Sequence, residues 1–174
     1  MPGPTGFVLQ TLKQAGIKAT FFCIGDNIRK HPDIFLQITE DGHAIGNHTF
    51  NHLNGWKTDT FSYLANITAC EAVMQQVHAG FTTRLFRPPY GKITPGQINR
   101  LSAYRIVMWD VLTYDYDSGL KAETCLLKTL RAVRNGSIIV MHDSLKAWPR
   151  LHPMLPRLIS HLSAQGYSFK PLPF

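Results

Sequence analysis

The spacing of apolar positions changes repeatedly along the chain, and each change marks an exchange of helix for strand. Over residues 5–16, Phe7, Val8, Leu12 and Ala15 recur at helical spacing, and Gly16 is placed to stop the helix. Residues 17–25 form a β-rich run whose apolar part is continuous, which predicts a buried parallel strand rather than a half-exposed one. Asp26 or Asn27 then caps a helix reaching about Glu40, Asp41-Gly42 breaks it, and residues 43–46 make the next strand. The cycle repeats with a helix over 59–77, a strand over 83–86, the proline-stiffened loop Arg87-Pro88-Pro89-Tyr90-Gly91, a short helix over 94–102 and a strand over 105–109. A polar loop over 111–118 leads to a helix over 121–134 stopped by Asn135-Gly136, then a strand over 137–141 ending at His142-Asp143. The last helix covers 151–164, Gly166 ends it, and 167–169 form a final strand.

Strands alternating with helices predict an α/β fold of parallel β/α units. In such folds the loops beyond the carboxyl ends of the strands share one rim. His48 and His52, Arg87 and Tyr90, Asp110 and Asp115, and His142 and Asp143 all follow strands and are expected on that rim.

Composition narrows the picture. A chain of 174 residues suits one domain, here taken as 1–174. With 44% hydrophobic and 17% charged residues it has the balance of a soluble globular protein. No apolar run nears the roughly 20 residues that cross a bilayer. Residues 1–6 lack the basic start and apolar stretch of a secretory signal, so the sequence does not assign a compartment. The formal charge of +7 suits a polyanion, but its distribution argues against nucleic acid. Lys128, Arg131 and Arg134 spread along a helix without an aromatic platform and read as a solvated face. Cys23, Cys70 and Cys125 are too scattered for a disulfide framework or a thiolate zinc site; Cys23 and Cys125 read as small core residues.

The candidate chemistry centres on Gly46-Asn47-His48-Thr49-Phe50-Asn51-His52. On a helical turn, positions i and i+4 share a face, so both imidazoles would reach one divalent ion; ordinary core or surface histidines have the same spacing. An ion with an open position acidifies water for attack on a carbonyl, and a second group must protonate the leaving atom. His142, at a strand end, suits general acid work if Asp115 or Asp143 lies beside it, since a neighbouring carboxylate favours imidazolium; a hydrogen-bonded core histidine is the competing reading. Arg87, on its stiff loop, either holds a carboxylate bidentately or is a surface charge.

Four separated segments then carry a resemblance. His48-Thr49-Phe50-Asn51-His52 resembles the metal-binding HxxxH motif, Arg87-Pro88-Pro89-Tyr90-Gly91 the RxPY loop, Thr113-Tyr114-Asp115-Tyr116 the SxDW-like segment and Val140-Met141-His142 the closing LxH strand of the polysaccharide deacetylase family, the NodB-homology domain of carbohydrate esterase family 4. Ala19-Thr20-Phe21-Phe22 resembles the second strand of the same family, so the likeness covers nearly the whole chain. Each motif alone is weak, whereas their joint occurrence in order is specific.

The resemblance implies a distorted (β/α) barrel that removes N- or O-acetyl groups from an acetylated glycan with a divalent metal, zinc or alternatively cobalt. Members often act in the cell envelope or are secreted. His48 and His52 would be metal ligands, Arg87 would orient the catalytic base, and the Tyr90 amide would help hold the oxyanion. Asp115 would tune His142, which protonates the departing amine. Tyr116 stands where the family commonly has Trp and would line the groove. Trp109 and Trp148 either stack on sugar rings or are structural.

One departure accompanies the likeness. The family's first motif, TFDDG, supplies the base aspartate and the third metal ligand and is absent, so the barrel is expected to lack its first strand and the site both its catalytic base and its third protein ligand, the two groups on which turnover by this chain depends. Exposed sheet edges would then favour association. Asp26 reads as a helix cap and Asp143 as an orienting partner of His142, and neither is taken as a replacement. The resemblance leaves two alternatives to a deacetylase: a catalytically dead carbohydrate-binding relative and a hydrolase of a small amide or formamide.

Overall fold

The computed structural model describes residues 2–173. In chain order its elements are α1 (Pro2–Gln14), β1 (Thr20–Cys23), α2 (Gly25–Lys30), α3 (Pro32–Glu40), β2 (Ala44–Asn47), a 3-10 turn η1 (Gly55–Lys57), α4 (Thr60–Val77), β3 (Leu85–Phe86), a second turn η2 (Pro89–Gly91), α5 (Pro95–Arg100), β4 (Arg105–Ile106), β5 (Val111–Leu112), α6 (Ala122–Ala132), β6 (Ile139–Val140) and α7 (Trp148–Ala164). The chain divides into two compact units, Met1–Lys18 with Trp109–Lys170 and Ala19–Met108 with Pro171–Phe174.

The second unit is built on a parallel sheet in the order β1-β2-β3-β4. Parallel neighbours need crossovers, and helices supply them: α2 and α3 lead from β1 to β2, α4 leads to β3 and α5 to β4. β2 is buried at all four positions because β1 and β3 flank it. The predicted burial of β1 is corrected: each of its residues is half-buried, since among the described residues it pairs with β2 alone. Cys23 shares that half-exposure, while Cys70 and Cys125 are buried.

A single helix to Glu40 is also corrected. His31 leaves helical geometry at φ −138°, ψ 63°, because Pro32 disfavours the α region in the residue before it, and α3 restarts with that proline in its first turn. Asp26 does not cap α2, which follows Ile24; its carboxylate pairs with Arg29 and Lys30 one turn on. On α4, Asp59 accepts from the Ser62 amide as N-cap, and Tyr63, Ile67, Cys70 and Met74 form the buried stripe. Tyr63 and Ile67 pack with Phe86 and Leu101 in one core cluster.

In the first unit, β5 and β6 pair in parallel, and α6 packs on α7 through Cys125, Leu126, Met154, Leu158 and Leu162. β5 lies where a polar loop was predicted, two apolar residues being too few to show a period. The predicted strand over 167–169 does not form. Tyr167 and Phe169 instead place their side chains against the α6–α7 cluster. α1 ends in a Schellman turn, with the Ile17 amide on the Leu12 carbonyl, the Gly16 amide on the Lys13 carbonyl and Gly16 at φ 67°. No helix among the described residues is long and apolar enough to cross a membrane.

Candidate active site

The histidine pair is not on a helix. After β2 the backbone turns irregularly, with Thr49 at φ 64° and His52 at φ 56°, and this brings the His48 and His52 rings to 4.9 Å between centroids. Left-handed non-glycine residues are costly unless neighbours hold them. Here Asn47, fully buried, accepts from the Thr49 amide at 2.8 Å while donating to the Ile67 carbonyl of α4. Asn66 accepts from the Phe50 and Asn51 amides, and the Thr49 hydroxyl accepts from the Leu53 amide. From the other side, the Gly25 and Asp26 amides donate to the Thr49 and Phe50 carbonyls.

A backbone carbonyl only accepts, so the 2.7 Å contact between His48 Nδ1 and the Arg87 carbonyl fixes the proton on Nδ1 and leaves Nε2 as a lone pair. Metal-ligating histidines are commonly oriented by such a bond. For His48 this is the tautomer that a divalent ion would require, and the His52 ring lies 4.9 Å from the His48 ring. Among the described residues, no group of three or more His, Cys, Asp and Glu side chains is placed to hold a metal ion.

Arg87 is 9% exposed, and burial pushes its guanidinium down to about 10, which leaves it cationic at neutral pH. It donates from Nε to the Val107 carbonyl and from Nη2 to the Met108 carbonyl, and its guanidinium carbon lies 4.1 Å from the Phe22 ring centroid. Phe22 can sit there because Gly46 has no side chain: a Cβ on Gly46 would come within 2.4 Å of the Phe22 ring. Tyr90, at φ 60°, sets its ring edge-to-face 4.6 Å from His52. The Gly91 and Lys92 amides donate back to Pro88 and Pro89, while the Tyr90 amide donates to no backbone carbonyl of the described residues.

In the other unit, Asp115 is fully buried and faces His142 twice, accepting from the His142 backbone amide at 2.6 Å and from Nδ1 at 2.8 Å. The imidazole is 40% exposed, with Nε2 as its remaining nitrogen. Asp143, expected beside His142, instead accepts from the Thr5 hydroxyl of α1 at 2.7 Å. Asp110 anchors the approach to β6 through Ser137 and the Ile138 amide, and those bonds hold its carboxyl below the usual carboxylate range. Tyr116 stands edge-on to the His142 ring at 5.1 Å, and burial raises its phenol above the ordinary value. Trp148 packs in a three-ring cluster with Phe7 and His152, and like Trp109 it is half-buried.

Several residues of this arrangement escape a reading of the sequence. Arg150, buried on α7, donates from Nε to the Asp115 carbonyl and from Nη2 to the Lys146 carbonyl, steadying the segment that presents Asp115. Asn47, Asn66 and Arg150 each bond a backbone group far along the chain, at Ile67, Phe50 and Asp115, and those contacts leave no mark in the local sequence.

A family model described as polysaccharide deacetylase matches residues 3–109. A peptidoglycan-N-acetylglucosamine deacetylase of Bacillus cereus is 35% identical over 173 residues, covering 95% of this chain and 61% of the relative. The chain thus spans under two thirds of that relative's length. A chitooligosaccharide deacetylase of Azorhizobium caulinodans is 30% identical, covering 99% of this chain and 88% of the relative. Among solved structures, the Bc1960 peptidoglycan N-acetylglucosamine deacetylase superposes with a TM-score of 0.85 at 32% identity, over 98% of this chain and 80% of the other.

Proposed function

The chain belongs to the polysaccharide deacetylase family, and on that premise we propose that it is a metal-dependent hydrolase removing N- or O-acetyl groups from a polysaccharide or amino sugar. The observation that carries the reading is the Asp115–His142 pair, which has the form of an oriented general acid: a buried carboxylate fixes one ring nitrogen and leaves the other toward solvent. The relatives named above are deacetylases of peptidoglycan and chitooligosaccharide, which supports an acetylated glycan as substrate.

A divalent ion, zinc or cobalt, held by His48 and His52 would supply Lewis acidity toward the acetyl carbonyl and make water more acidic. The protein's own groups do the rest. His48 is held in the ligating tautomer by the Arg87 carbonyl. The Tyr90 amide is the candidate donor to the oxyanion, a type of contact worth about 2.7–4 kcal/mol in enzymes where it has been removed. Arg87 keeps a positive charge against the Phe22 face, at the motif position that orients a base aspartate in the family, and that aspartate belongs to the TFDDG segment this sequence lacks. His142 protonates the departing nitrogen or oxygen from Nε2, and Asp115 orients the ring by accepting from Nδ1. Tyr116 and Trp109 line the substrate groove in this reading.

A second reading, a carbohydrate-binding relative without turnover, is favoured by one observation: among the described residues only two histidines, and no third acidic, thiol or imidazole group, gather as ligands. Catalytic zinc sites usually take three protein ligands. Acetate release from N-acetylglucosamine oligomers with added zinc or cobalt separates the two; glycan binding without acetate under either metal selects the second.

A further inference from the structure

Trp56 is 63% exposed, yet nearly everything around it is fixed. Its indole Nε1 donates to the Ile93 carbonyl at 3.1 Å, and its backbone amide donates to the Asn54 side chain at 3.0 Å. The preceding residue, Gly55, donates to the Lys92 carbonyl and lies so close to it that a Cβ there would come within 2.4 Å of that oxygen. Gln97, fully buried, donates to the Gly55 and Thr58 carbonyls while closing a capping box with Thr94. The Lys92 ammonium lies 3.7 Å from the Trp56 ring centroid. An indole this exposed gains little from burial, so the buried amide and the tight glycine hold in place a ring that stays 63% exposed with the Lys92 ammonium over one face.

The ring also has a place relative to the candidate site. Contacts within one unit run from His48 to His52 at 4.9 Å and from His52 to Tyr90 at 4.6 Å; two residues after Tyr90, Lys92 sits on Trp56. We infer that Trp56, with Lys92, is a sugar-binding subsite that stacks a pyranose ring of the same glycan chain, beyond the residue whose acetyl group is removed. Aromatic faces suit the apolar face of a pyranose, and a pre-fixed ring loses little entropy on binding. The inference rests on the glycan reading of the histidine site, but not on turnover.

The test is binding of N-acetylglucosamine and its pentamer to the full chain, followed through the Trp56 indole N–H signal and by calorimetry, with acetate assayed in the same samples. The pentamer should shift the Trp56 signal and bind about tenfold more weakly to Trp56→Ala, while Trp56→Phe keeps most of the affinity. The monomer should bind parent and variants alike. Pentamer affinity unchanged in Trp56→Ala, or no shift of the Trp56 signal at millimolar pentamer, would overturn the subsite. If the pentamer binds through Trp56 with no acetate released under zinc or cobalt, the subsite stands and the deacetylase reading fails.

Discussion

At the scale of single residues, His142 and Asp115 carry the clearest chemical assignment, and His48 the clearest structural one. Replacing His142 by Ala removes the proton donor and touches neither histidine of the pair, so turnover should fall by about 10²–10⁴-fold with metal content unchanged. Elemental analysis beside an acetate assay reads both; loss of metal in that variant would contradict the role. His48→Ala should instead abolish metal retention. Cys70 offers a check on burial itself: its thiol is pushed up to about 12 by desolvation, so at pH 8 almost none is thiolate. Alkylation at Cys70 should therefore be slow in the native chain and fast in denaturant, and rapid native labelling would show that its surroundings are open. These histidines and acids are expected together because they follow strand ends, and the structure sets His48 beside His52 and Asp115 beside His142. Asn47, Asn66, Gln97 and Arg150 are not legible in the sequence, because each bonds to backbone groups supplied by another part of the chain.

Elements were legible where a period had room to repeat. α4 and α6 follow their predicted spans closely, whereas the two-residue strands β3 to β6 are shorter than any alternation can define. The break at His31 was readable from Pro32, and the long apolar pattern across it masked that signal. The helical-turn geometry assumed for the histidine pair failed for a different reason: two left-handed residues stabilised by Asn47 and Asn66 have no periodic signature. The sheet makes its own prediction at Gly46. A methyl there meets Phe22, whose ring supports Arg87, so Gly46→Ala should cost about 1–3 kcal/mol through overpacking. Chemical denaturation measures this, and a variant as stable as the parent would show that Phe22 moves aside freely.

For the whole molecule, the parallel α/β class was legible from the alternation of elements, and the family from four motifs in order. The histidine pair lies in one unit and the proposed acid in the other, so metal binding and proton transfer can be tested apart. A ligand that binds only the folded chain raises its stability, by about 2.7 kcal/mol at a hundredfold excess over Kd. Zinc should therefore raise the unfolding midpoint of the parent and not of His48→Ala, and equal shifts would place the metal elsewhere. The most direct measurement is acetate released from N-acetylglucosamine oligomers by the purified chain with zinc or cobalt, beside His142→Ala. The account predicts release by the parent and its loss in the variant; equal release from both, or none from the parent under either metal, would contradict it.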